Sequence, residues 1–291
     1  MNNTTVVNNN TYTNLMAREN LLCAVWAVNL LRNESLAHFA ALKHRTKLED
    51  HEIDDWQRAA DRMYIPYDEL LGIHPQDDSF LDRKVWDLEN TPPDKFPLLL
   101  HYHPLVIYRH QVLKQADVVL ALFLLSNQFS KEQMARDFDY YDPLTTGDSS
   151  LSACIQSIVA ADIGYEDKAL EYLRYALLMD LADVGGNVKD GCHIASMGGT
   201  WMAMTYGLAG MRDHGGQISF DPKIPVENLR FHLTIRGQKL IVSINGDWMT
   251  YLLREGSGLS IWHRGKELRL KEGVPVTEKL SALDIAELNY G

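Results

Sequence analysis

With 291 residues, 46% of them hydrophobic, the chain can bury a substantial core as one large domain or as a large and a small one. Its formal charge of −11 argues against general binding to nucleic acid or to an anionic membrane, so an anionic ligand has to be drawn by a local positive site. Three cysteines far apart in sequence, Cys23, Cys154 and Cys192, offer no disulfide framework and no CxxC pair for zinc, which fits a reducing compartment.

Residues 1–11, MNNTTVVNNNT, lack the basic region and apolar run of a signal peptide, and no apolar stretch reaches transmembrane length. The expectation is a soluble cytoplasmic protein. These residues carry no helical period and read as loop. From Tyr12 a helix pattern begins, with Leu15, Leu22, Trp26 and Leu30 on one side and Thr13 or Asn14 to cap it. A second, shorter helix is expected over 52–63, where Ile53, Trp56, Ala60 and Met63 fall in register. Between 65 and 105 six prolines, Pro66, Pro75, Pro92, Pro93, Pro97 and Pro104, prevent a long helix. That stretch carries Trp86, Phe96, Tyr102 and three histidines, and it reads as an ordered loop lying over a site.

Residues 108–125 read as one helix whose polar front, YRHQVLKQAD, passes into the apolar run VVLALFLL, the mark of a buried helix in a helical core. Lys114 and Gln115 then fall mid-helix. A lysine among apolar neighbours reaches solvent, an anion, or a carboxylate such as Asp117, while Gln115 offers both a donor and an acceptor to hydroxyl groups. In 139–163, DYYDPLTTGDSSLSACIQSIVAADI, a loop feeds a helix with Leu151, Ile155, Ile158 and Val159 on one face. Asp148 or Ser149 is the candidate N-cap, and the first-turn N–H groups beside the hydroxyls of Ser149 and Ser150 form a cradle suited to phosphate. The same residues also describe an ordinary capped helix.

Further helices are expected over 166–181 and 195–210. The second is preceded by His193 and carries Ser196, Gly198 and Gly199, whose small size permits either close backbone approach to a ligand or tight helix packing. His101, His103 and His110 have no carboxylate or cysteine at ligand spacing, so no metal is expected there. Trp86 and Trp201 suit sugar stacking or the core; Tyr140, Tyr141 and Asp142 orient the loop or line the site. After the turn at 214–216, the segments LRFHLTIRG, KLIVSING, MTYLLREG and LSIWHRG alternate apolar with polar and end at glycines, as short antiparallel strands do. The tail, 277–291, is polar and reads as a short helix or loose chain. No internal repeat of fixed period is present.

Four stretches in order, VNNNTYTNLMARENL (7–21), HPLVIYRHQVLKQADVVLA (103–121), YYDPLTTGDSSLSACIQSIVAADIGY (140–165) and DGCHIASMGGTWMAMTYGLAGMR (190–212), resemble the successive motifs of glycoside hydrolase family 65. That family holds inverting α-glucoside phosphorylases acting on maltose, trehalose, kojibiose or nigerose. The resemblance implies a mainly α chain: the C-terminal half of an (α/α)6 barrel over 1–213, a small antiparallel β domain over 214–276, and a tail. It implies glucose transfer from an α-glucoside to inorganic phosphate, giving β-glucose 1-phosphate, with no cofactor. Lys114 and Gln115 match a sugar-contact pair of the family, and Ser149, Ser150, His193, Ser196 and Gly198 are the expected phosphate contacts.

The family's general-acid Glu lies just before the VNNN–YTN motif, in a GPDEY-like stretch. By the resemblance it is expected upstream of Val7, and residues 1–6 here contain no carboxylate. The expectation is therefore a fragment, a truncated product or one piece of a split enzyme, inactive alone. An incomplete helical ring would expose apolar faces and favour a homodimer or a partner chain bearing the N-terminal half. Two other readings stand beside the enzyme: a non-catalytic remnant or sugar- and phosphate-binding module of the same fold, and a hydrolase using Asp142 or Asp148 as base.

Overall fold

The computed structural model describes residues 6–147 and 149–280. The chain divides into two compact units, residues 1–129 with 135–148, and residues 130–134 with 149–291.

In the first unit helix α1 (Thr11–Glu34) starts one residue earlier than its apolar pattern indicates, because Asn10, and not Thr13 or Asn14, caps it by accepting the Thr13 N–H at 2.9 Å. Its buried positions are Thr11, Leu15 and Val28, while Trp26 is 63% exposed. The Asn-rich segment before it is a clasp. Thr11 N–H donates to the Gln76 carbonyl at 2.9 Å, Asn10 Nδ2 to the same oxygen at 3.2 Å, Asp78 N–H to the Asn8 carbonyl at 3.3 Å, and the Thr11 hydroxyl to the Pro75 carbonyl.

Ser35 ends α1 and caps α2 (Leu36–Thr46), after which α3 (Asp50–Asp61) packs on α1 through Val28, Leu48 and Ile53. The Pro-rich stretch is ordered mainly by turns, with β1 (Lys84–Val85) and two single helical turns, α4 (Leu98–His101) and α5 (Pro104–Ile107). Strand β2 (His110–Gln111) pairs with β1 in parallel.

The expected helix over 108–125 is broken. Leu113 forms a bridge to Thr145: its N–H donates to the Leu144 carbonyl at 2.9 Å, and its carbonyl accepts from Thr146 at 2.8 Å. Only α6 (Asp117–Leu124) is helical, buried at Val118, Val119, Ala121, Leu122 and Phe123 and packed on α1 through Leu15, Ala121 and Leu125. Helix α7 (Lys131–Tyr141) follows.

The second unit begins its helices with α8 (Ser152–Asp162), which is buried at nine of its eleven positions, and α9 (Glu166–Leu178), joined by a hydrogen bond from the Ser157 hydroxyl to the Ala169 carbonyl. Helix α10 (Ile194–Met202) passes into a π-helical segment, Ala203–Leu208. At the exit Gly210 has φ +61°, and a Cβ there would strike the Asp221 carbonyl oxygen, so only glycine fits.

Two four-stranded sheets then enclose one apolar core. Strand β3 (Met211–Arg212) pairs with β4 (Ser219–Phe220); β5 (Asn228–Ile235), β6 (Gln238–Asn245), β7 (Trp248–Glu255) and the late strand β10 (Pro275–Lys279) form one sheet in the order β10-β7-β6-β5. Strands β8 (Leu259–His263) and β9 (Lys266–Leu270) complete the other, in the order β3-β4-β8-β9, where β4 and β8 run parallel. Met249, Tyr251 and Leu253 alternate inward on β7, as do Leu259, Ile261 and His263 on β8. Thr277–Lys279, expected in a polar tail, instead pair with β7. Residues 281–291 of that tail lie outside the described residues.

Candidate functional site

Lys114 and Gln115 stand in a bend between the Leu113 bridge and α6, not in a helix, and both are half-buried. The bend exists because Leu113 spends its backbone groups on Leu144 and Thr146, leaving the next residues to start a new helix at Asp117. Burial pushes the Asp117 carboxyl up to about 6. The preceding strand is braced by Gln111, whose Nε2 donates to the Arg83 carbonyl at 2.7 Å and whose Oε1 accepts from the Tyr140 hydroxyl at 2.6 Å. Tyr141 is fully buried and donates to the His74 carbonyl at 2.7 Å, and Asp142 opens a 3-10 turn. Both tyrosines are the last residues of α7, where the sequence reads loop.

The general acid expected upstream of Val7 falls on a segment of which only Val6 is described, and residues 1–5 lie outside the described residues. Val6 is exposed and Val7 half-buried, directly before the clasp that ties Asn8, Asn10 and Thr11 to residues 75–78. The six residues before Val7 are Met, Asn, Thr and Val alone.

In the second unit the Ser149–Ser150 turn precedes α8 rather than forming its first turn. The helix starts at Ser152, with Leu151 in the N-cap position, and the Ser149 hydroxyl accepts from Leu151 N–H at 3.3 Å. Asp148, the other candidate cap and candidate base, lies outside the described residues. Helix α10 starts at Ile194 with His193 in its N-cap position. The histidine is gripped twice by one carboxylate: its main-chain N–H donates to Asp180 Oδ2 at 2.8 Å, and its Nδ1 lies 2.6 Å from Asp180 Oδ1. The hydrogen bond from the His193 ring, with that from its backbone, holds Asp180 below the usual carboxylate range.

One turn into α10, Ser196 is 1% exposed and its hydroxyl has no hydrogen-bond partner among the described residues. Thr200 and Thr205 behave differently, each returning its hydroxyl to the carbonyl four residues earlier, Ser196 and Trp201, at 2.9 and 3.0 Å. Gly198 is exposed, and a Cβ there would meet nothing within 4 Å. Gly199 is the packing glycine: a Cβ would collide with Cys154 Sγ and stand 2.9 Å from its Cβ. That contact brings the start of α8 against α10.

Among the remaining sequence candidates, Trp86, Trp201, His103 and His110 make the following contacts. Trp86 packs in a core cluster with Leu98 and Ile107, edge-on to Tyr102 and His110, and donates from its indole to the Thr91 hydroxyl at 2.9 Å. Trp201 stands edge-on to Phe231, 5.8 Å between centroids. His110 Nδ1 lies 2.8 Å from the Val106 carbonyl, and His103 Nδ1 accepts from Leu105 N–H. Sequence reasoning passes over Asp180. Its partnership spans thirteen residues across an irregular turn, and neither helical nor strand periodicity connects two such positions. Among the described residues no helix is long and apolar enough to cross a membrane.

Comparison with known proteins agrees with the order of these segments. Residues 2–202 match the profile of the glycosyl hydrolase family 65 central catalytic domain, and residues 211–270 that family's C-terminal domain. The chain is 46% identical over 275 residues to an α,α-trehalose phosphorylase of Geobacillus stearothermophilus, covering 94% of this chain and 36% of that one. It is 32% identical over 256 residues to a maltose phosphorylase of Bacillus subtilis, covering 87% and 33%. Among solved structures, a putative kojibiose phosphorylase from the human microbiome superposes with a TM-score of 0.81 at 26% identity, over 95% of this chain and 38% of that one. The chain thus spans about a third of the length of these relatives. With both domain profiles matched in sequence order, it belongs to glycosyl hydrolase family 65.

Proposed function

We propose that this chain carries the phosphate seat and part of the sugar site of an inverting α-glucoside phosphorylase, on part of an (α/α)6 barrel followed by the β domain. An inverting glycosidase needs an acid for the leaving oxygen and a base that activates water on the opposite face. A phosphorylase dispenses with the base, because phosphate is already nucleophilic at neutral pH. What it requires is an anion seat where a hydrolase would hold water. Ser149, Ser150, His193, Ser196 and Gly198 provide that seat, and Lys114 and Gln115 hold glucose hydroxyls. The observation that carries the reading is the Ser196 hydroxyl: a buried donor one turn into α10, with no partner among the described residues, is costly unless a ligand or water satisfies it.

Proton donation to the glycosidic oxygen is assigned to a carboxylate expected upstream of Val7, where residues 1–6 of this sequence carry none. Such donation typically contributes about two to four orders of magnitude. The test incubates the chain with phosphate and trehalose, maltose or kojibiose, alone and with the upstream segment of a family 65 relative, and assays glucose 1-phosphate. Product of β configuration only with the upstream segment is expected. Turnover by residues 1–291 alone would place the acid within them, and α-configured product would exclude inversion.

A further inference from the structure

The carboxylate beneath His193 determines more than its position. Asp180 lies in the turn after α9, and its two oxygens take different parts of one residue, Oδ2 the main-chain N–H and Oδ1 the ring Nδ1, at 2.8 and 2.6 Å. An ionised carboxylate only accepts hydrogen bonds. Nδ1 therefore carries the ring proton, and in the neutral imidazole the other nitrogen, Nε2, presents a lone pair. The intervening loop is built to keep this register: the Asp183 carboxylate accepts Val188 N–H at 3.0 Å, and Gly191 turns the chain at φ +124°.

We propose that Asp180 is a positioning residue that sets the tautomer of His193, so that Nε2 accepts the P–OH proton of hydrogen phosphate and the seat prefers that anion to sulfate. The proposal rests on reading the start of α10 as the phosphate seat. Phosphate near neutral pH retains a hydroxyl to donate to Nε2, whereas sulfate has none and would face the lone pair with another. Substituting Asp180→Asn inverts the arrangement with almost no change of shape. The amide oxygen keeps the main-chain N–H, its NH2 group then faces Nδ1 as a donor, and the ring proton moves to Nε2.

The test uses the full chain at about pH 8. Ring 15N shifts of His193 are read by NMR, and phosphate and sulfate are titrated separately. Wild type is expected to show a protonated Nδ1 and to bind phosphate about tenfold more tightly than sulfate, the ratio of one hydrogen bond gained against one lost. D180N is expected to show a protonated Nε2 and to lose the preference. A wild-type ring protonated on Nε2 overturns the proposal without any variant, which also covers a D180N chain that does not fold. A tautomer that inverts while the preference stays overturns it as well. His193→Ala separates the two levels: if it binds phosphate as well as wild type, the seat itself is wrong and the proposal falls with it. If it loses phosphate while D180N keeps the preference, only the role of Asp180 is wrong.

Discussion

Helix α10 and the β sandwich that follows it bury opposite kinds of residue. In the sandwich Phe220, Leu240, Val242, Met249, Tyr251 and Ile261 are inside, as strand alternation requires. In α10 the buried positions are Ser196, Gly199 and Thr200, while Ile194, Met197 and Trp201 are 71%, 49% and 41% exposed. The sandwich is held by side chains that fill space, and α10 by side chains that are small enough to let α8 approach. A core of the first kind tolerates volume-conserving exchange; a contact of the second kind tolerates no added atom.

The largest expected effect lies at the polar tie between helices and sandwich. Asp162, at the end of α8, meets Lys131 Nζ at 2.6 Å and Arg212 Nη2, on β3, at 2.8 Å. Burial pushes the Asp162 carboxyl up, but Arg212 and Lys131 outweigh it and hold it below the usual range. Asp162→Ala leaves the largely buried Arg212 without this counter-charge and is expected to cost about 3–5 kcal/mol in chemical denaturation. With the folded pKa lowered, the wild-type contribution is present above the ordinary carboxylate range and is lost as the pH falls through the folded value. Next in size is Gly210→Ala, which adds both a backbone collision and a left-handed φ. About 3 kcal/mol is expected, with no relief from any side-chain substitution nearby.

Gly199→Ala separates the two kinds of packing most sharply. It should cost about 1–3 kcal/mol through collision with the Cys154 side chain, and Cys154→Ala in the same chain should recover much of that. Additivity in the double-mutant cycle would show that the helix contact is not set by that pair. The smallest effect belongs to the buried imidazole of the sandwich. His263 Nδ1 lies 2.8 Å from the Tyr251 hydroxyl, and burial pushes the ring below its ordinary 6.5, with Glu278 opposing. Because the folded value is the lower one, the stability it contributes is present above 6.5 and lost as the pH falls through the folded value. The urea midpoint of the wild type should drop by more than that of His263→Gln between about pH 7.5 and 5.

What can be read from the sequence follows the same division. The alternation of β5 to β8 and the apolar run of α6 announce themselves, since in both the buried atoms are hydrophobic. Helix α2 is illegible because none of its residues is buried, and β10 because its side chains are mostly exposed and it pairs through backbone. The helix expected over 108–125 fails at Leu113, where a backbone bridge to Thr145 outweighs helical periodicity. At the candidate site the residue types at Ser149, Ser150, His193 and Ser196 are legible as motifs. The later start of α8 and the Asp180 grip on His193 are not, because both arise where separate loops meet.

The collision-free seam at Gly210 also constrains protein engineering. Asp221 N–H donates to the Gly210 carbonyl at 3.0 Å, and the Asp221 carbonyl leaves no room for a side chain opposite, so the two backbones form a matched joint. A chimera that imports another β module should therefore be spliced upstream of Gly210. Cutting at 212 or 213 would graft a foreign loop onto a socket shaped for this one.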